Sequence, residues 1–125
     1  MIQVRDGQSV RFDCTFYHQG GGYSGAKLHC AIGVQNAIFN EKIAKDSLPL
    51  SVSYDEGNEQ YQESVVVGPI KVGGIGGLAP GRYESYVKLM SIPGGDLYWN
   101  GPLDDIEIIS AEAIFSNLSV NYSTT

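Results

Sequence analysis

No run of this sequence approaches the roughly 20 consecutive apolar residues that a bilayer-spanning helix needs, so insertion into a membrane by a helix is not expected. Positive charge is scarce. Eight Lys and Arg stand against 14 Asp and Glu, a net charge of −6, and a nucleic-acid backbone would on balance be repelled. No segment rich in Ala, Leu, Glu and Lys carries a helical period, which removes most helical architectures. Catalytic signatures are missing too. There is no Gly-x-Ser-x-Gly and no phosphate-cradling loop ending in Lys-Ser or Lys-Thr. Gly73 to Gly77 is followed by Pro80, Gly81 and a strand-like segment, not by a helix whose N-terminus would hold phosphate. His18 and His29 have no Cys or carboxylate at zinc-ligand spacing. His29 and Cys30 are adjacent in a strand pattern and point to opposite faces, so they make no catalytic pair. The same holds for Asp55 with Glu56 and Asp104 with Asp105, which cannot form the facing carboxyls of a glycosidase. A non-enzymatic protein without a cofactor or metal is the expectation.

What is present is alternation. In 125 residues, enough for one domain, 16 Gly and 8 Tyr accompany many Val, Ile and Ser, a composition of strands and turns. Ser9 to Phe16 places Val10, Phe12, Cys14 and Phe16 on one face and Arg11, Asp13 and Thr15 on the other. After the glycine-rich loop Gln19 to Gly25, Leu28, Cys30, Ile32 and Val34 form a second apolar face, with Lys27, His29 and Ala31 opposite. Extended segments follow at Ala37 to Ala44 and Leu50 to Tyr54, then a turn at Asp55 to Asn58. Gln60 to Ile70 alternates again, with Tyr61, Glu63, Val65 and Val67 on one side until Pro69 ends regular pairing. A strand from Tyr83 to Met90, a long turn from Ile92 to Pro102 and a closing strand at Leu103 to Ile109 complete the pattern. About eight short strands predict an all-β sandwich over residues 1–110. Ala113 to Tyr122, within residues 111–125, alternates as well and would be either an edge strand or the start of a following module.

Both cysteines point inward. A direct hairpin would set Cys14 opposite Cys30, whereas strands in opposing sheets would let the two meet across the core. A disulfide in an oxidising compartment and two reduced core thiols both fit.

One short motif carries a resemblance. Leu78-Ala79-Pro80-Gly81-Arg82-Tyr83, running into the alternating Glu84 to Met90, resembles the tyrosine corner of immunoglobulin-like and fibronectin type III-like β-sandwiches. From Gly7 to Ile109 the strand pattern is similar to such modules on microbial and viral surface proteins, although the spacing of Cys14 and Cys30 and the lack of a Trp between them depart from antibody domains. The resemblance implies an antiparallel sandwich of about seven to nine strands, with Pro80, Gly81 and Tyr83 as structural residues. It also implies that Gln19 to Gly25 and Ile92 to Pro102 cluster at one end as recognition loops. Tyr23, Asp96, Tyr98, Trp99 and Asn100 are then the candidate ligand-binding residues. The implied function is a structural, adhesion or interaction module of an extracellular, cell-surface or virion-surface protein, with a protein or glycan surface or neighbouring tandem domains as partners. A carbohydrate-binding module stacking sugar on Tyr98 and Trp99 is one alternative, and a small secreted hydrolase another.

A start of strand-like residues directly after Met1, without the charged-then-apolar profile of a signal peptide, suits a domain cut from a larger polypeptide. Asp96, Asn100, Asp104 and Asp105 offer oxygen ligands to calcium but lack the spacing of a dedicated loop. Asn117-Leu118-Ser119 and Asn121-Tyr122-Ser123 match the glycosylation acceptor pattern.

Overall fold

Alternation becomes nine strands in a computed structural model, which describes residues 1–35, 38–91, 95–101, 103, 105–110 and 117–124, with the backbone alone at 35, 96, 99 and 100. They are β1 (Ile2–Val4), β2 (Val10–Gly20), β3 (Tyr23–Gln35), β4 (Phe39–Asp46), β5 (Leu50–Val52), β6 (Asp55–Val67), β7 (Gly81–Ser91), β8 (Asp96–Asn100) and β9 (Ile106–Ile108). The protein is all-β, with one sheet of seven strands and another of two. In the large sheet β4 and β5 share one edge of β3, and β7 takes the other. β8 and β9 share the far edge of β7, and β1 joins by pairing with β9. That last pairing is parallel, so the sheet is mixed and not wholly antiparallel. β2 and β6 form the second sheet by themselves.

The period-2 faces predicted from the sequence are the faces that pack. Val10 and Phe12 of β2 and Val65 and Val67 of β6 close against Leu28, Cys30 and Ile32 of β3, Tyr83 of β7, and Ile106 and Ile108 of β9. Burial of such side chains contributes roughly 1.5–3 kcal/mol each. Cover is uneven along the sandwich, however. On β2 the inward row passes from buried Val10 and Phe12 to half-buried Cys14, Phe16 and His18. On β7 it passes from buried Tyr83 and Ser85 to half-buried Val87 and Leu89. The layers are therefore closed at one end and open at the other.

The Tyr83 hydroxyl donates to the Ala79 carbonyl at 2.6 Å, tying the start of β7 to the turn before it. Three local expectations change. Asp55 to Asn58 opens β6 and is not a turn, because Asp55 pairs with Gly20 across the small sheet. The chain reverses at Ser53 and Tyr54 instead. The loop expected from Gln19 to Gly25 shrinks to Gly21 and Gly22. Gly22 is required there, since a Cβ would stand 2.7 Å from the Val52 carbonyl oxygen. Asp96 to Asn100, expected within one long turn, folds back on β7 as β8, with Leu89 opposite Tyr98 and Lys88 opposite Trp99. Of the segment Ala113 to Tyr122, positions 113–116 lie outside the described residues, and Asn117 onward carries no strand.

Candidate functional site

β2 has one partner, β6, and no other strand pairs with it among the described residues. Its second edge opens on a cleft of about 950 Å³, lined across from it by Leu28, Val87, Leu89 and Leu103, with Tyr23 and Tyr98 among the lining side chains. The pattern of lining residues shows how the cleft is built. From β2 every residue from Phe12 to His18 contributes, as at a strand edge, whereas β7 contributes alternate residues, as from a sheet face. No residue of β6 lines it. A second hollow of about 570 Å³, bounded by Ile2, Val10, Arg11 and Ile106, shares Phe12 and Leu103 with the cleft and extends it along β2.

Tyr23 and Tyr98, two of the predicted ligand-binding residues, come together on this cleft, at 45% and 71% exposure. The side chains of Asp96, Trp99 and Asn100 lie outside the described residues, as does Asp104 of the calcium candidates. Asp105 lies 3.6 Å from Arg82 in an ion pair. Phe16 stacks on Tyr61 with ring centroids 5.2 Å apart, holding one side of the cleft in place. His18, also on the cleft, donates from Nε2 to the Gly21 carbonyl at 2.6 Å. In the neutral ring Nδ1 is then an acceptor, and it is buried with no hydrogen-bond partner. An unpaired polar atom at the edge of an apolar cleft suits a donor brought in by a ligand.

Cys14 and Cys30 come from opposing sheets, so the hairpin alternative does not hold, and both are free thiols. Their side chains share a hydrogen bond, which together with burial pushes the Cys30 thiol far up. That favours the protonated thiol at Cys30 and makes it a poor metal ligand.

A second cluster escaped the sequence reading. On the outer face of the large sheet, His29 Nδ1 donates to Asp46 at 2.5 Å and Nε2 donates to Glu41 at 2.7 Å. Asp46 also accepts from Lys27 at 3.0 Å, and the Tyr86 hydroxyl donates to Glu41. Phe39 meets Tyr86 edge-on at 4.4 Å, and the Lys88 ammonium lies 5.3 Å from the Tyr86 ring centre. The arrangement depends on an irregularity. Ile32 pairs with Ile43, but Gly33 pairs with Glu41, so a bulge at Lys42 brings an acid and not a lysine to the His29 face. Burial opposes charging His29, yet the bonds to Asp46 and Glu41 outweigh it and raise its pKa above the ordinary histidine value. Burial opposes charging Asp46 and Glu41, but hydrogen bonds and charges from His29, with Lys27 at Asp46 and Tyr86 at Glu41, together outweigh it and hold both below the ordinary carboxylate values. Two acceptor-only carboxylates require both ring nitrogens to carry protons, so His29 is an imidazolium clamp with no free nitrogen for base catalysis. Only the tertiary pairing of β3 with β4 could reveal it.

Among the described residues no group of three or more His, Cys, Asp or Glu is placed to hold a metal ion. No helix there is long and apolar enough to cross a membrane. Compared with family models and with curated proteins, the sequence matches none.

Proposed function

We propose that this chain is a non-enzymatic interaction module of an extracellular or surface-exposed protein, and that the cleft at the open end of the sandwich is its contact site. The observation that carries this reading is an apolar cleft of about 950 Å³ beside a strand edge with no partner among the described residues. Such an edge offers a row of backbone donors and acceptors, and the apolar wall opposite accepts alternate side chains. The ligand class best matched to both is an extended peptide segment. The immunoglobulin-like assignment is supported by the Tyr83 to Ala79 hydrogen bond and by the two-sheet arrangement. The non-enzymatic reading draws on the chemistry of the ionisable groups, since His29 has both nitrogens committed and Cys30 holds its proton.

The carbohydrate alternative rests on Tyr23 and Tyr98, whose exposed rings at the cleft would stack on a sugar. Methyl-resolved NMR separates the readings. An alternating Val-Thr peptide should shift the methyls of Leu28, Val87 and Leu89, while soluble oligosaccharides should leave them in place. Shifts from an oligosaccharide would favour sugar binding. Indifference to both would reduce the module to a spacer.

A further inference from the structure

The segment Asn117–Thr124 has a composition that fits the cleft. Leu118, Val120 and Tyr122 share one side of an extended chain, and Asn117, Ser119, Asn121 and Ser123 share the other. No charge interrupts it. In this structure the segment pairs with no strand, and its three large apolar side chains are 93%, 60% and 92% exposed. An alternating, uncharged segment of this kind is a strand in want of a sheet. Several strands have a single partner among the described residues, and the open edge that lies along an apolar cleft is that of β2.

We infer that Asn117–Thr124 of one copy adds to the free edge of β2 in a second copy, placing Leu118, Val120 and Tyr122 in its cleft. This rests on the cleft being the contact site, and it names the occupant. Dimensions agree, for the steps from Phe12 to His18 span roughly 20 Å, which Leu118–Thr124 covers when extended. Polarity agrees as well, since the inward row meets Phe12, Cys14, Phe16 and Leu89 while the outward row lies beside Asp13 and Thr15. Tyr122, the largest of the three, suits the open end, where its hydroxyl can donate to the unpartnered His18 Nδ1. That register runs the segment parallel to β2. A second copy is the source because in its own molecule the segment stands exposed to solvent. The two acceptor asparagines, Asn117 and Asn121, fall on the outward row, so the added strand leaves both accessible.

The test uses the full chain in sedimentation analysis across a wide concentration range. Wild type should self-associate. Leu118→Asp combined with Val120→Asp, or Leu89→Arg alone, should weaken association at least ~100-fold. Mixing these two variants should restore a one-to-one complex, because one keeps the cleft and the other keeps the segment. A wild type that stays monomeric, or segment variants that still associate, would overturn the inference. Should Leu89→Arg fail to fold, wild type labelled in its methyls and mixed with unlabelled wild type should show intermolecular contacts from Leu118 and Val120 to Val87 and Leu89. Their absence would also overturn it. A synthetic Asn117–Thr124 peptide, added to the segment variant, should shift the Val87 and Leu89 methyls. If an unrelated alternating peptide shifts them and this one does not, the cleft stands as a contact site and this occupant falls.

Discussion

Replacing Gly33 by alanine should unsettle the sheet and the histidine clamp together. A Cβ at this buried position would lie 2.1 Å from the Asn40 carbonyl oxygen and 2.9 Å from both the Asn40 carbonyl carbon and Phe39 Cε1. That is more than 1 Å inside ordinary contact distance. The nearest obstacle is backbone, so relief requires β4 to move away at its bulge, loosening the pairing of Gly33 with Glu41 and the packing of Phe39 on Tyr86. Overpacking costs about 1–3 kcal/mol and a weakened ladder bond about 1 more, offset by roughly 0.5–1 because alanine suits a strand better than glycine. The net is a loss of about 2 kcal/mol, which in a domain of this size lowers Tm by roughly 6–10 °C. Calorimetry measures it, with Gly21→Ala as control: no atom lies within 4 Å of a Cβ there, and the change should stay within about 0.5 kcal/mol. Proton NMR of His29 gives an independent reading, since withdrawing Glu41 should bring its pKa down toward 6.5. A Tm within about 2 °C of wild type would refute the reasoning, because it would mean that β4 accommodates the methyl without strain.

Tyr83→Phe keeps the ring and deletes the donor to Ala79, so chemical denaturation should show a loss of about 1–2 kcal/mol with an unchanged m value. The His29 clamp gives stability a definite pH window. Its folded pKa lies above 6.5, so its contribution is complete below that pH and fades as pH rises through the folded value, while Asp46 and Glu41, held below 3.8 and 4.5, lose theirs only as pH falls through their lowered values. Allowing for partial exposure, wild type should lose about 1 kcal/mol on alkaline titration and His29→Gln should stay flat; parallel profiles would remove the clamp from the account. Cys14 and Cys30, hydrogen-bonded across the core, should join under a thiol oxidant such as diamide, read by mass spectrometry as the loss of two hydrogens and blocked in Cys30→Ser. An intermolecular product alone would show that the sheets hold the two backbones too far apart.

The legible part of the fold was whatever depends on a residue and its near neighbours. Alternation placed Val10, Phe12, Cys14 and Phe16 on one inward face and Leu28, Cys30 and Ile32 on another, because successive strand residues point to opposite sides. The Tyr83 hydroxyl reaches Ala79, a contact within four residues. Tyr23 and Tyr98 both line the cleft, and what had placed them together was the clustering of two loops implied by the immunoglobulin-like resemblance, not a pattern local to either residue. Local reading misled where pairing partners decided, as at Asp55, which Gly20 draws into β6, and at Asp96 to Asn100, which β7 draws into β8.

By itself, then, the sequence determined an all-β chain, which side of each long strand is apolar, and the turn before Tyr83. Tertiary structure alone decided that Cys14 and Cys30 meet from opposing sheets, that β1 runs parallel to β9, and that a bulge sets Glu41 beside His29. It alone decided that β2 keeps an open edge along an apolar cleft. The physical reason is that a period of two specifies a face but not a neighbour. Which strand lies alongside, and in which register, follows from contacts between residues distant in the chain, and no local pattern encodes them.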